Sequence, residues 1–256
     1  MLKIRLLGSG TSSGVPRIGN DWGSCDPNDP RNRRSRSSAL VSTETTTILI
    51  DTSPDMRAQL LAADIGDVDA VIWTHDHADH THGIDDLRQL MHRRDGLPVR
   101  GLARPVTRAQ LEAKFHYVFH GRGGYPPTVA VEDLPDVLTI GDIRITATDQ
   151  PHGSIFSAGL RFDSDGKSIG YATDFHLMTN AMRALYADVD VWIVDALRRA
   201  PHPTHPHLSE VLGWVGELTP TRTALVQMDH SMDYISVAAE LPHGVEPGYD
   251  GLEMVA

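Results

Sequence analysis

Seven consecutive residues, Thr74-His75-Asp76-His77-Ala78-Asp79-His80, constrain this chain more than any other stretch. They follow an apolar, β-branched run, Ala70-Val71-Ile72-Trp73, which reads as a buried strand. They precede a helical pattern with Ile84, Leu87 and Met91 on one face. Three imidazoles and the Asp79 carboxylate are thereby held in a tight loop at a strand end. Both groups ligate borderline divalent metals such as zinc. Four such side chains within six residues cannot all reach one tetrahedral ion comfortably. The loop is therefore read as serving two neighbouring ions, with His75 and His77 facing one, and Asp79 and His80 the other. The competing reading is a solvated polar loop that is rich in histidine by chance.

Further candidates stand after later strands. His152 lies in Gln150-Pro151-His152-Gly153, Asp174 in Tyr171-Ala172-Thr173-Asp174, and His230 in Gln227-Met228-Asp229-His230. Any one of them alone reads as a hydrogen-bonded residue or a cap. With the first loop they make a set that divides evenly. One ion takes His75, His77 and His152. The other takes Asp79, His80 and His230, and Asp174, with its two oxygens, bridges them. Asp76 is assigned an outer position, orienting a ligand or a bridging water.

Strands followed by helices recur in both halves of the chain. That order predicts an α/β architecture, a four-layer αββα sandwich formed as one domain over residues 1–256. The run Met1–Leu7 alternates as a strand does and does not read as a signal peptide. No apolar run spans a bilayer, and Cys25, the single cysteine, excludes an intrachain disulfide. A cytoplasmic protein is expected. The formal charge of −11 disfavours nucleic acid as a partner. The loop Gly8–Pro16 is expected to let backbone pass close to a ligand. The run Arg31–Arg36 reads as a solvated loop whose arginines pair with local aspartates, rather than as a phosphate contact. Ser53 is expected to cap a helix that starts at Pro54. A helix is expected from the ligand loop to about Arg94, and another near Arg108–Phe119 with His116 and His120 in or beside it as structural or surface residues. The tail beyond Pro242 is expected to be irregular.

The strand-end T-H-D-H-A-D-H followed by isolated His, Asp and His resembles the metallo-β-lactamase superfamily. Within it the chain is similar to the PhnP-like phosphodiesterase branch, which acts on phosphoribosyl 1,2-cyclic phosphate. The segments that carry the likeness are L-G-S-G-T-S-S-G-V-P, D-P-R-N-R-R-S-R-S-S, H-G-I-D-D-L-R, P-H-P-T-H and V-E-P-G-Y-D-G-L. The resemblance implies the metallo-β-lactamase fold and two divalent metal ions, zinc or manganese, with iron also compatible. It implies that His205 acts as general acid, with His202 and His207 as rivals. Two departures stand out. Such proteins often hold a structural zinc through three cysteines and a histidine, but Asn20, Trp22 and Cys25 occupy the matching positions, so that zinc is expected to be absent. They also carry two histidines in the last strand-end motif, where this chain has Gln227 and His230. The expectation is that His230 serves the second ion.

The function expected is a dinuclear hydrolase in which a metal-bridging hydroxide attacks a small cyclic phosphodiester. The partner expected is that small-molecule substrate, with no membrane; a homodimer is compatible with the sequence. The alternatives are a tRNA 3′-processing endonuclease, a thioesterase or lactonase of the same superfamily, and an inactive binding or accessory protein with Gln227 as its symptom.

Overall fold

The computed structural model describes residues 1–256. Its first sheet is built from β1 (Lys3–Gly8), β2 (Ser38–Ser42), β3 (Thr47–Ile50), β4 (Ala70–Trp73), β5 (Val99–Ala103) and β6 (Val129–Asp133). The second holds β7 (Val137–Ile140), β8 (Ile143–His152), β9 (Ile155–Ser164), β10 (Lys167–Ala172), β11 (Val191–Asp195), β12 (Arg222–Val226) and β13 (Val245–Pro247). The last strand, β14 (Glu253–Val255), returns to the first sheet and pairs with β1. The orders are β14-β1-β2-β3-β4-β5-β6 and β13-β12-β11-β10-β9-β8-β7. In each sheet an antiparallel half passes into a parallel half, at β3–β4 and at β10–β11.

Strands buried on both faces read as unbroken apolar runs, and the packing shows why. In β4, Ala70 and Ile72 enter the core between the sheets, while Val71 and Trp73 enter an outer core. Strand β11 does the same, with Val191 and Ile193 inside and Trp192 and Val194 outside. Helices α1 (Met56–Ala62), α2 (Ala78–Thr81), α3 (Leu87–Arg93), α4 (Pro105–Lys114) and α5 (His116–His120) belong to the first half of the chain. Side chains of α1, α3, α4 and α5 fill its outer core. Helices α6 (Asn180–Tyr186), α7 (Leu208–Leu218) and α8 (Tyr234–Ala238) cover the second sheet. The result is the αββα sandwich. Full burial of each large apolar side chain stabilises it by roughly 1.5–3 kcal/mol, so β4 is a rigid mount for whatever follows it.

Several local expectations need correction. The regular helix after β3 begins at Met56 rather than Pro54, although the Ser53 hydroxyl does accept from Asp55 N at 3.1 Å, the bond expected of a cap there. The helix expected up to Arg94 is broken, because Gly83 packs against Ser53 so closely that an added Cβ would lie 2.0 Å from its carbonyl oxygen. The glycine loop after β1 makes a close approach within the chain: a Cβ on Gly8 would lie 2.0 Å from Arg36 O. Arg31 and Arg36 do pair with Asp29 and Asp55, each at 2.7 Å, but Arg34 is buried and donates to Met232 O at 2.7 Å. The tail is not irregular, since β13 and β14 add an edge strand to each sheet.

Candidate metal centre

The site lies where the parallel strands end, the usual place for ligands in α/β sheets. Three residues just past strand ends adopt left-handed backbone: Asp51 after β3 (φ 60°), Asp174 two residues past β10 (φ 52°) and Gln227 after β12 (φ 60°). Non-glycine residues in that region are strained by about 1–3 kcal/mol, and such strain gathers at functional sites. Each of the three side chains meets the Thr74–His80 segment or a group bonded to it.

Asp51 organises that segment from beneath. Its Oδ1 accepts from Thr74 N at 2.7 Å, and its Oδ2 accepts from Thr74 Oγ1 at 2.8 Å and meets His80 Nδ1 at 2.7 Å. The contact with Asp51 holds a proton on His80 Nδ1, leaving Nε2 to face the site. The Thr74 hydroxyl spends its one hydrogen on Asp51, so the 3.0 Å contact with His75 Nδ1 requires that nitrogen to donate. His75 Nε2 is then a lone pair, and it is buried with no hydrogen-bond partner. His152 is fixed in the same sense, Nδ1 donating to Thr204 O at 2.9 Å, which turns its Nε2 toward His77 Nδ1 at 3.4 Å.

These orientations bring His75, His77 and His152 together, with ligand atoms all within 4.8 Å of one another. Asp174 stands beside them, almost fully buried. Its Oδ1 lies 3.9 Å from His75 Nε2 and 3.7 Å from His152 Nε2, while its Oδ2 lies 3.2 Å from His80 Nε2. One oxygen thus faces each group of ligands. Asp79 Oδ2 is 3.3 Å from His80 Nε2. Tetrahedral coordination at 2.0–2.2 Å separates ligand atoms by roughly 3.3–3.6 Å, so these spacings and the orphaned His75 nitrogen fit divalent cations. Only His77 of these ligands is exposed, so the site opens there.

The electrostatics match a place built for positive charge. Burial opposes charge on His80, yet Asp174, Asp79 and Asp51 outweigh it and hold His80 well above its ordinary value. Burial would raise Asp174, but His80 foremost, with His75 and His205, holds it well below the usual carboxylate range. His75 is pushed well down by burial and then by His80, and His152 is lowered chiefly by burial.

His205 reaches the same centre from the loop after β11. Its Nε2 lies 3.9 Å from Asp174 Oδ1, and its ring centroid lies 4.9 Å from that of His152. Its Nδ1 meets Asp195 Oδ2 at 2.7 Å. Burial works against the imidazolium, but Asp195 and then Asp174 overcome it and push His205 up to about 9. Burial in turn raises Asp195. The rivals do other work: His207 sits in a capping box with Glu210 at the start of α7, and His202 Nδ1 accepts from Thr204 N at 3.3 Å. Arg198 and Arg199 are also engaged elsewhere, with Pro201 O and with Glu240.

Two expected site residues lie elsewhere. His230 belongs to none of the ligand clusters; its Nε2 faces Asp21 at 3.7 Å, and its ring packs on Gly23. The chain turns at Gln227, whose amide enters the site with Nε2 3.0 Å from His80 Nε2 and bonded to Asp174 Oδ2. Met228 then leads away, buried in the second outer core and hydrogen-bonded to Ser9 and Thr11. Asp76 also turns outward, to Lys114 Nζ at 2.5 Å. With Ser154 and Phe156 it lines a neighbouring cavity of about 610 Å³. Asp51 and Asp195 are the residues sequence reasoning missed, although each directly follows an apolar β-branched run.

Comparison with known proteins agrees with this geometry. The family profile described as "Beta-lactamase superfamily domain" matches residues 46–228. A solved structure described as a new diphosphatase from the PhnP family superposes with a TM-score of 0.90 at 33% identity, covering 99% of this chain and 96% of the other. Zinc-bound PqqB from Methylobacterium extorquens shares the fold, with a TM-score of 0.76 at 18% identity, covering 99% of this chain and 100% of that one. A protein of Porphyromonas gingivalis named octanoyltransferase is 31% identical over 261 residues, 99% of this chain. The chain spans about half the length of that curated relative (51%).

Proposed function

The chain belongs to the metallo-β-lactamase superfamily and, within it, to the PhnP family, and from that membership we propose that it is a metal-dependent hydrolase of a small phosphodiester, a cyclic phosphodiester above all. The observation that carries this reading is His205, backed by Asp195 at 2.7 Å and set 3.9 Å from Asp174. Hydrolysis of an alkyl phosphodiester expels an alkoxide, which needs a proton at the moment of departure. A thioester expels a thiolate, which does not. A histidine backed by a carboxylate beside the ligand cluster therefore favours an oxygen leaving group. The acidic balance of the chain, −11, favours a small substrate over tRNA.

Divalent cations would be held by His75, His77 and His152 on one side and by Asp79 and His80 on the other, with Asp174 between; bound there, they supply charge neutralisation at a phosphoryl group and a lowered pKa for water. The chain's own residues do the rest. Asp51 and Thr74 keep His80 and His75 in the tautomers whose Nε2 lone pairs face the site. Thr204 does so for His152. Asp195 orients His205, which gives up the Nε2 proton to the leaving oxygen. His77, exposed, marks the side from which substrate enters.

A second reading, hydrolysis of a diphosphate, is favoured by the description of the PhnP-family structure as a diphosphatase. Its leaving group is also oxygen, so the same acid would serve. Steady-state assays of metal-loaded protein on cyclic phosphodiesters, bis-p-nitrophenyl phosphate, diphosphates, lactones and thioesters test both readings. The highest kcat/KM is expected on a cyclic phosphodiester. Preference for a diphosphate would select the second reading, and preference for a thioester or lactone would overturn both.

A further inference from the structure

Gln227 presents an arrangement that the hydrolase reading leaves unexplained. Its amide is buried, its Oε1 has no hydrogen-bond partner, and its Nε2 points between His80 Nε2 and Asp174 Oδ2. A buried carbonyl oxygen without a donor is destabilising. A half-turn of the amide exchanges oxygen and nitrogen without changing its shape. That turn puts Oε1 among the lone pairs of His80 Nε2, Asp174 Oδ2 and Asp79 Oδ2. Once His80 Nε2 gives up its proton, four electron-pair donors converge there, an arrangement that a cation satisfies. The distances already suit one: from His80 Nε2 it is 3.0 Å to the amide nitrogen, 3.2 Å to Asp174 and 3.3 Å to Asp79. The left-handed backbone at Gln227, φ 60°, directs the side chain into this position at the end of β12.

We propose that the Gln227 amide oxygen is a ligand of the second cation, and that it makes the two cation sites unlike. The site of His75, His77 and His152 is rich in imidazole. That of Asp79, His80, Asp174 and Gln227 is rich in oxygen, with a single imidazole. Imidazole suits zinc and its neighbours, whereas carboxylate and carbonyl oxygens suit harder ions such as manganese. The second site accordingly discriminates less in favour of zinc over manganese, and the protein holds a mixed pair when both metals are present. This inference rests on the two-cation reading of the site and adds the donor that completes it.

The test is metal binding, read independently of turnover. Wild type, Gln227→Ala, Gln227→His and, as control, His230→Ala are stripped with chelator and dialysed against zinc, manganese or both. Metal content is then measured, and affinities are taken by calorimetry. Wild type is expected to hold two ions, and His230→Ala to match it. Gln227→Ala should weaken the second ion by tenfold or more, on the order of what the loss of a metal-orienting contact costs. Gln227→His should raise zinc affinity at the second site while manganese affinity there stays level or falls. If Gln227→His melts like wild type but binds both metals with unchanged affinities, the amide is not a ligand. Two tightly held ions in Gln227→Ala overturn the proposal equally, and so does a wild type that holds one ion. Failure of the hydrolase reading shows up separately, as two bound ions with no phosphodiester turnover.

Discussion

Asp51→Asn is the most informative single change, because one atom alters two tautomers. The Asn oxygen can keep the bond from Thr74 N, at 2.7 Å in the wild type. Its amide nitrogen then takes the place of Oδ2, facing His80 Nδ1 and Thr74 Oγ1, now 2.7 and 2.8 Å away. His80 Nδ1 must accept, so its proton moves to Nε2, into the cation site. Thr74 Oγ1 is freed to donate to His75 Nδ1, which moves that ring's proton to its own Nε2. The fold should survive, since every buried group still finds a partner. Metal affinity should fall by about 10–100-fold, the usual penalty for a disrupted orienting contact. Asp51→Ala is the contrast: it strands three buried donors at about 1–3 kcal/mol each, and a loss of roughly 3–9 kcal/mol is expected. In a chain of this size that lowers Tm by roughly 6–36 °C. Thermal melts and metal titrations separate the two variants, and imidazole nitrogen shifts report the tautomers directly. An Asp51→Asn protein that binds metal as wild type does would refute the reasoning.

Two further outcomes follow from the same geometry. His205→Ala should slow a substrate with an alkoxide leaving group by about 10²–10⁴-fold, yet spare bis-p-nitrophenyl phosphate, whose phenolate leaves unaided; equal losses on both would remove its role as acid. The metal-free protein should lose stability as the pH rises. His80 is held well above its ordinary value despite burial, by Asp174, Asp79 and Asp51. Its contribution is therefore fully present below about 6.5 and is lost as the pH climbs through the raised value. A bound cation would expel that proton, so the gap in Tm between metal-loaded and chelated protein should widen from about pH 6 to about pH 9. A gap that stays constant would contradict the account.

What was legible in the sequence depended on how locally it was encoded. His75, His77, Asp79 and His80 lie within six residues, so their spacing alone exposed them. The double-faced burial of β4 and β11 left unbroken apolar runs that read as buried strands, and the recurring order of strands and helices predicted the sandwich. Asp51 and Asp195 were hidden because each acts on a histidine distant in sequence, His80 or His205, and an isolated aspartate after a strand resembles a cap. Choosing His230 over Gln227 put side-chain chemistry ahead of position. The site takes residues that turn inward at strand ends, and three more residues carry the chain away to Asp21. Asp76 was misplaced for a related reason: neighbours in a tight loop face different ways, and only Lys114, far along in α4, shows where Asp76 points. The breaks at Gly83 and the edge strands β13 and β14 depended on long-range packing that no local period carries.

Donors at four strand ends, those of β4, β8, β10 and β12, are proposed to converge on a pair of cations. Anomalous diffraction from crystals of metal-loaded protein, collected at the zinc and manganese absorption edges, tests that convergence most directly. Two peaks are predicted, one among His75, His77 and His152 and one among Asp79, His80 and Gln227, with Asp174 turning one oxygen to each. A single peak, no peak, or density beside Cys25 and His230 instead would contradict it.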